Sequence, residues 1–230
     1  KEAALFEGIA VFDEDSGHIF PPYVIKSVNG RRIAVIGQAF PYTPIANPSR
    51  FIPNWTFGIQ EQELQSQVDN IRASERPDAV ILLSHNGMDV DLKLASRVTG
   101  IDFIMGGHTH DGVPVPVTVK NASGLTVVTN AGSNGKFVSV LDLEFGLSGV
   151  SGYRYQLLPV FANLLAADTT MQNYINEVRA PYKHLLDEQL AVADTLLYRR
   201  GNFNGTFDQV ICDALMQELD AEISLSPGFR

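Results

Sequence analysis

The sequence predicts a mixed α/β fold, and three observations carry that expectation. First, an apolar strand at Ala79–Leu83, a short helix over Asp89–Val98 and a second apolar strand at Asp102–Met105 follow one another in fewer than 30 residues. That is a βαβ unit, which requires parallel strands joined by a right-handed crossover. Second, β-rich runs at 113–119, 125–129, 136–145 and 152–158 are separated by turn residues and read as an antiparallel set. Third, from Thr170 onward Met171, Tyr174, Ile175, Val178, Tyr182, Leu185 and Leu186 recur at helical spacing, with Pro181 as the expected kink.

The remaining elements follow in chain order. Val24–Val28 and Arg31–Ile36 are β-rich runs separated by Asn29-Gly30, the strongest short-range signal for a hairpin. Residues 37–58 are rich in proline and lack periodicity, so they read as a long irregular loop. The aromatics of that loop, Phe40, Tyr42, Phe51, Trp55 and Phe57, predict that it is ordered and packed. Its role is open between lining a substrate channel and packing the domain. Residues 59–75 read as a helix with Leu64, Val68 and Ile71 on one face. Past the long helix, Leu190–Tyr198 reads as a strand and Ala221–Leu225 as another. Thr206 reads as an N-cap with Gln209 reaching back to it, followed by an apolar stripe of Phe207, Val210, Ile211, Ala214 and Leu215. The expected organisation is one domain over 1–165, a connecting helix over 166–189, and the opening of a second domain over 190–230.

Composition narrows the function. The 230 residues are 45% hydrophobic and 19% charged, as in a folded globular protein. The longest purely apolar run is the five residues Ala79–Leu83, whereas a membrane-spanning helix needs about 20, so no membrane span is expected. The formal net charge is −9, which gives the overall field no attraction for a phosphate backbone, so nucleic acid is not an expected partner. With Cys212 as the single cysteine, neither an intramolecular disulfide nor a thiolate metal cluster can form. Cys212 sits on the apolar side of its helix and reads as a small core residue. The chain opens on Lys1 and ends on Ser-Pro-Gly-Phe-Arg, and both ends read as cuts through a longer protein.

The candidate chemistry lies at two strand ends. Val80-Ile-Leu-Leu-Ser-His85-Asn-Gly87 and Asp102-Phe-Ile-Met-Gly-Gly-His108-Thr-His110 each run from an apolar strand into a polar loop bearing histidine. In a βαβ unit both carboxyl ends open on one sheet edge, where α/β proteins place their sites. Three of the five histidines, His85, His108 and His110, are thus expected to converge. Neutral imidazole is the commonest metal ligand at pH 7, and Gly87, Gly106 and Gly107 allow sharp turns and close approach. Asp111 is a candidate to hold a metal-bound imidazole from behind. Asp89 and Asp91 flank the site, Asp89 serving its helix N-terminus. His18 and His184 read as surface and helix-face residues. Three imidazoles without a carboxylate would suit a mononuclear zinc site.

Ser84-His85-Asn86-Gly87 and Gly106-Gly107-His108-Thr109-His110 resemble the last two metal motifs of the calcineurin-like metallophosphoesterases, in their 5′-nucleotidase branch. Within that branch, Gly37-Gln-Ala-Phe-Pro-Tyr-Thr-Pro-Ile-Ala-Asn-Pro48, Asn54-Trp-Thr-Phe-Gly58 and Leu83-Ser-His-Asn-Gly-Met-Asp-Val-Asp91 resemble the SoxB thiosulfohydrolases of bacterial sulfur oxidation. The resemblance covers essentially the whole chain. It implies the C-terminal part of a metallophosphoesterase-type β-sandwich flanked by helices, then a connecting helix and the start of a 5′-nucleotidase-type C-terminal domain. It further implies a periplasmic hydrolase with two divalent metal ions, typically manganese. His85 and His108 would bind one ion and His110 the other. The implied substrate is a sulfonated cysteine persulfide on a sulfur-carrier protein of the Sox system, from which sulfate is released.

The family pattern also has an early D-x-H, a bridging aspartate in a G-D motif, and a G-N-H-E block. None of these occurs here. The chain is therefore expected to be an internal part of such a protein and inactive by itself. Two other readings stand beside this one: a nucleotidase or cyclic-nucleotide phosphodiesterase of the same superfamily, and a non-catalytic carrier-binding module.

Overall fold

A computed structural model describes residues 21–199 and 205–226. The chain divides into two compact units, residues 1–165 and 166–230.

The first unit is built on a six-stranded sheet. Its strands are β1 (Tyr23–Val28), β2 (Arg31–Gln38), β3 (Ala79–Ser84), β4 (Phe103–Gly106), β5 (Val117–Lys120) and β6 (Leu125–Asn130), in the order β1-β2-β3-β4-β6-β5. β1 and β2 form the expected hairpin, with Val28 opposite Arg31. Asn29 (φ 50°) and Gly30 (φ 77°) both take the left-handed backbone that a two-residue turn of this twist demands.

From β2 inward the pairing is parallel: β2 with β3, β3 with β4, and β4 with β6. The third pairing corrects the antiparallel reading of the later strands. β5 and β6 are antiparallel to each other, but the pair folds back so that β6 lies between β4 and β5. Burial explains why: β6 is buried at every position from Thr126 to Asn130, the mark of an interior strand covered on both faces. β5 begins only at Val117, later than expected, because Pro114 and Pro116 have no N–H to give a ladder. The other two β runs, β7 (Phe137–Gly146) and β8 (Gly149–Pro159), pair only with each other.

Helices α2 (Glu61–Ser74) and α3 (Met88–Arg97) cover one face of the sheet. Leu64, Val68 and Ile71 of α2 and Leu94 and Ala95 of α3 pack on Ala34, Ile36, Val80, Leu82, Ile104 and Val128. Alternate strand residues thus face one core, and each fully buried aliphatic side chain contributes about 1.5–3 kcal/mol. On the other face Phe103 meets Tyr153 of β8 edge-on, with ring centroids 5.6 Å apart. The strand starts are pinned by Asp102, whose Oδ2 accepts from Arg72 of α2 (2.6 Å) and from the Val80 N–H (2.7 Å).

The loop over 37–58 holds a four-residue helix, α1 (Thr43–Ala46), and a 3₁₀ turn at Ser49–Phe51. The expectation that its aromatics pack is only partly met. Tyr42, Phe51 and Trp55 are exposed, while Phe40 is half-buried against the histidines described below.

In the second unit the long helix is interrupted at the expected place. α4 (Thr169–Arg179), N-capped by Asp168 through Met171 N–H at 2.8 Å, gives way to a 3₁₀ turn at Ala180–Tyr182 and then α5 (Lys183–Leu186). Pro181 cannot donate to the helical ladder. The strands expected at Leu190–Tyr198 and Ala221–Leu225 are not formed. Their apolar residues are β-prone, but no described strand pairs with them, and propensity without a ladder does not make a strand. The capping box is also corrected. Gly205 is the N-cap of α6 (Thr206–Leu219). Thr206 Oγ accepts from Tyr198 N–H (3.0 Å) and donates to Leu196 O (3.1 Å), while Gln209 donates to Asp213 at 2.6 Å. The hydroxyl thus holds the preceding segment instead of capping. Among the described residues no helix is long and apolar enough to cross a membrane.

Candidate functional site

Because β2, β3, β4 and β6 run parallel, their carboxyl ends share one edge. The register pairs Gln38 with Ser84 and Gly106 with Asn130, so the polar turns that follow lie side by side. His85 leaves β3 with its N–H donating to Gln38 O at 3.0 Å. The Gly106-Gly107 pair then brings the second turn against it. A Cβ at Gly107 would sit 3.3 Å from His85 Nδ1 and 3.4 Å from Ser84 O, so glycine is what lets the two turns close up.

The backbone of the second turn is unusual. His108 (φ 76°) and His110 (φ 62°) both adopt the left-handed region, which costs a non-glycine residue about 1–3 kcal/mol and gathers at functional sites. Thr109, between them, anchors the turn. Its hydroxyl accepts from Met88 N–H (3.1 Å) at the start of α3 and donates to Asp111 Oδ2 (2.5 Å). Gly87 (φ 101°) makes room for it, since a Cβ there would lie 2.9 Å from Thr109 Cγ2.

The outcome is a pair of imidazoles under an aromatic roof. The rings of His85 and His108 lie with centroids 5.2 Å apart. Phe40, just past β2, stacks on His108 at 4.0 Å and meets His85 edge-on at 6.1 Å. Desolvation at this position, then the nearby charges of His85 and His110, push the His108 pKa below the ordinary 6.5 of imidazole. That shift favours the neutral imidazole.

Of the expected site residues, the structure brings His85 and His108 together, and places His110 two residues on, within electrostatic reach of His108. Among the described residues no group of three or more His, Cys, Asp or Glu side chains is disposed to hold a metal ion. The carboxylate of Asp111 is taken by Thr109. Asp89 stands exposed in the first turn of α3. His184 is exposed on α5, Cys212 is half-buried on α6, and His18 lies outside the described residues. Chemically the imidazoles suit a divalent transition metal. Among the described residues no carboxylate joins these imidazoles in a group of three.

Two features escaped the sequence reading. Phe40 was legible only as one aromatic of a loop, since nothing local marks a tertiary stack. Asp91 carried a clearer sign. It precedes Leu94, Ala95 and Val98 by three, four and seven residues, on the buried stripe of α3, and it is 0% exposed. Its Oδ1 accepts from Ser84 Oγ (2.5 Å) and Asn86 Nδ2 (3.4 Å), and Asn86 also donates to Gln38 Oε1 (2.7 Å). Burial pushes the Asp91 pKa up, against the lowering effect of these donors and of His85.

No protein-family model matches the chain. The Thermus thermophilus sulfate thiohydrolase SoxB, solved with glycerol, is 36% identical with a TM-score of 0.75, over 87% of this chain and 36% of that one. A 5′-nucleotidase precursor, also from Thermus thermophilus, is 26% identical with a TM-score of 0.76, over 92% of this chain and 45% of that one. The 5′-nucleotidase of Diplobatis ommata is 27% identical over 221 residues, 86% of this chain and 37% of that protein. The chain thus spans less than half the length of each of these proteins.

Proposed function

The chain is a SoxB-like relative of the 5′-nucleotidases and calcineurin-like phosphoesterases, and we propose on that footing that the protein carrying it is a thiosulfohydrolase. In this reading it releases sulfate from a sulfonated cysteine persulfide on a sulfur-carrier protein, in the periplasm. The observation that carries the reading is the contrast in identity: 36% to SoxB against 26% to the nucleotidase precursor, over nearly the same span of this chain.

The site residues have defined roles in it. His85 and His108 would hold one divalent metal ion and His110 a second, with manganese as the proposed metal and oxygen ligands from outside the described residues. Such ions, when bound, supply positive charge to a tetrahedral sulfone or phosphoryl centre and its attacking water. The chain's own contribution is to set the donors. Gly107 lets the two histidine turns close up, the left-handed backbone at His108 and His110 shapes the second of them, and Phe40 stacks on one face of His108.

A nucleotidase is the competing reading, since the structural match to the 5′-nucleotidase precursor is as close, at 0.76 against 0.75. The experiment expresses the protein from its complete gene and loads it with manganese. It then measures sulfate release from a peptide bearing a sulfonated cysteine persulfide and phosphate release from a nucleoside monophosphate. Sulfate release well above the phosphate rate is expected. Phosphate release alone would overturn the sulfur reading, and turnover of neither would overturn the enzymatic one.

A further inference from the structure

We propose that Asp91 is a positioning residue that sets the spacing of the two histidine-bearing turns, Ser84–Asn86 and Gly106–His108; this rests on the metal reading above. Its carboxylate lies between both turns. Oδ1 receives hydrogen bonds from Ser84 and Asn86, the two residues that flank His85 in sequence. Oδ2 lies against Gly106, two residues before His108, where a Cβ would fall 2.5 Å from that oxygen. One side chain of α3 thus ties down one turn and abuts the other.

Packing alone does not account for a carboxylate there. The position belongs to the stripe that carries Leu94, Ala95 and Val98, and an apolar side chain would serve burial better. Among the described residues, the buried side-chain polar atoms without a hydrogen-bond partner are Asn86 Oδ1, Asp91 Oδ2 and both Asn130 amide atoms. All three residues are at this edge: Asn130 closes β6 opposite Gly106, and its Nδ2 lies 3.7 Å from where the Gly106 Cβ would be. Unmet polar groups are costly, and a cluster of them beside the two histidine turns is what packing alone would avoid.

The test uses the protein expressed from its complete gene. NMR reads the imidazole ¹³C–¹H cross-peaks of the metal-free protein, and calorimetry reads manganese affinity. Asp91→Ala is compared with Leu94→Ala, which removes from the core cluster a buried apolar side chain one turn along α3. Asp91→Ala is expected to move the cross-peaks of both His85 and His108 and to weaken manganese binding about tenfold or more. Leu94→Ala is expected to lower the melting temperature and do neither. Asp91→Asn keeps an acceptor for the Ser84 hydroxyl and restores most of the affinity. Cross-peaks left in place by Asp91→Ala, moved equally by Leu94→Ala, or moved with manganese affinity unchanged would overturn the proposal. A wild-type protein that takes up no manganese would overturn the metal reading, and the cross-peaks then decide the role of Asp91 unaided. Should Asp91→Ala fail to fold, Ser84→Ala removes the hydrogen bond donated to Asp91, together with the one Ser84 Oγ accepts from the Asn86 N–H, and is read the same way.

Discussion

The phenyl ring of Phe40 lies nearly parallel to the imidazole of His108, with centroids 4.0 Å apart and an interplanar angle of 30°. A residue from the turn after β2 therefore fixes the plane of a ring that belongs to the turn after β4. Aromatic pairs of this kind contribute about 0.5–1.5 kcal/mol beyond their burial. Phe40→Ala should therefore weaken manganese binding by about twofold to tenfold, with little change in melting temperature because Phe40 is only half-buried. Calorimetric titration against wild type is the measurement. Unchanged affinity would show that the stack orients nothing.

His110 is exposed in the turn after β4. His110→Ala should abolish hydrolysis by the complete protein while unfolding within about 0.5 kcal/mol of wild type, as surface substitutions usually do. Turnover close to the wild-type rate would remove His110 from the ligand set.

Gly100 takes φ 81°, and a Cβ there would meet Val68 Cγ1 at 2.9 Å. Gly100→Ala combines left-handed strain with overpacking under α2, and each costs about 1–3 kcal/mol. Urea denaturation should register the loss. The rate per folded molecule should hold, because this turn leads into β4 at the amino end of the sheet, away from the histidines. A stable variant would mean that α2 moves aside cheaply.

Asp78 accepts from the Arg32 backbone N–H at 2.7 Å and pairs with Arg31 at 3.1 Å. These contacts, the backbone hydrogen bond foremost, hold its carboxyl below the usual 3.8, although desolvation opposes them. The folded state thus binds this proton less readily than the unfolded state. The stabilisation is complete above the unfolded value and disappears as pH falls through the lower folded value. Asp78→Asn should be less stable than wild type at neutral pH, and the gap should close below pH 3.8. A gap of constant size across an acid titration of the unfolding midpoint would count against the assignment.

Local signals carried the first unit well. Asn29-Gly30 defined a turn because only a few residue types tolerate two successive positive φ values. Leu64, Val68 and Ile71 declared the buried face of α2, since a helix returns to the same side every three or four residues. The shared edge bearing His85 and His108 followed from the βαβ unit alone. What was not legible is non-local. Nothing between Val113 and Thr129 states that β6 will insert beside β4, because insertion depends on which strand finds two partners. Leu190 and Val192 have β-prone side chains, yet a ladder needs a second strand that local sequence does not announce. Thr206 matched a capping pattern, and a competing partner eight residues away took its hydroxyl.

The left-handed backbone at His108 and His110 also restricts the chemistry open to variants of this turn. An engineer swapping the donor atoms there has a short menu. Asparagine and aspartate tolerate positive φ and would exchange nitrogen for oxygen ligation, whereas threonine, valine and isoleucine are penalised by their branched Cβ before any ligand is considered. A saturation library at these two positions should therefore return folded proteins enriched in short polar side chains. In the proposed metal-holding role, the turn would pass from nitrogen-donor to oxygen-donor ligation far more easily than to an apolar lining.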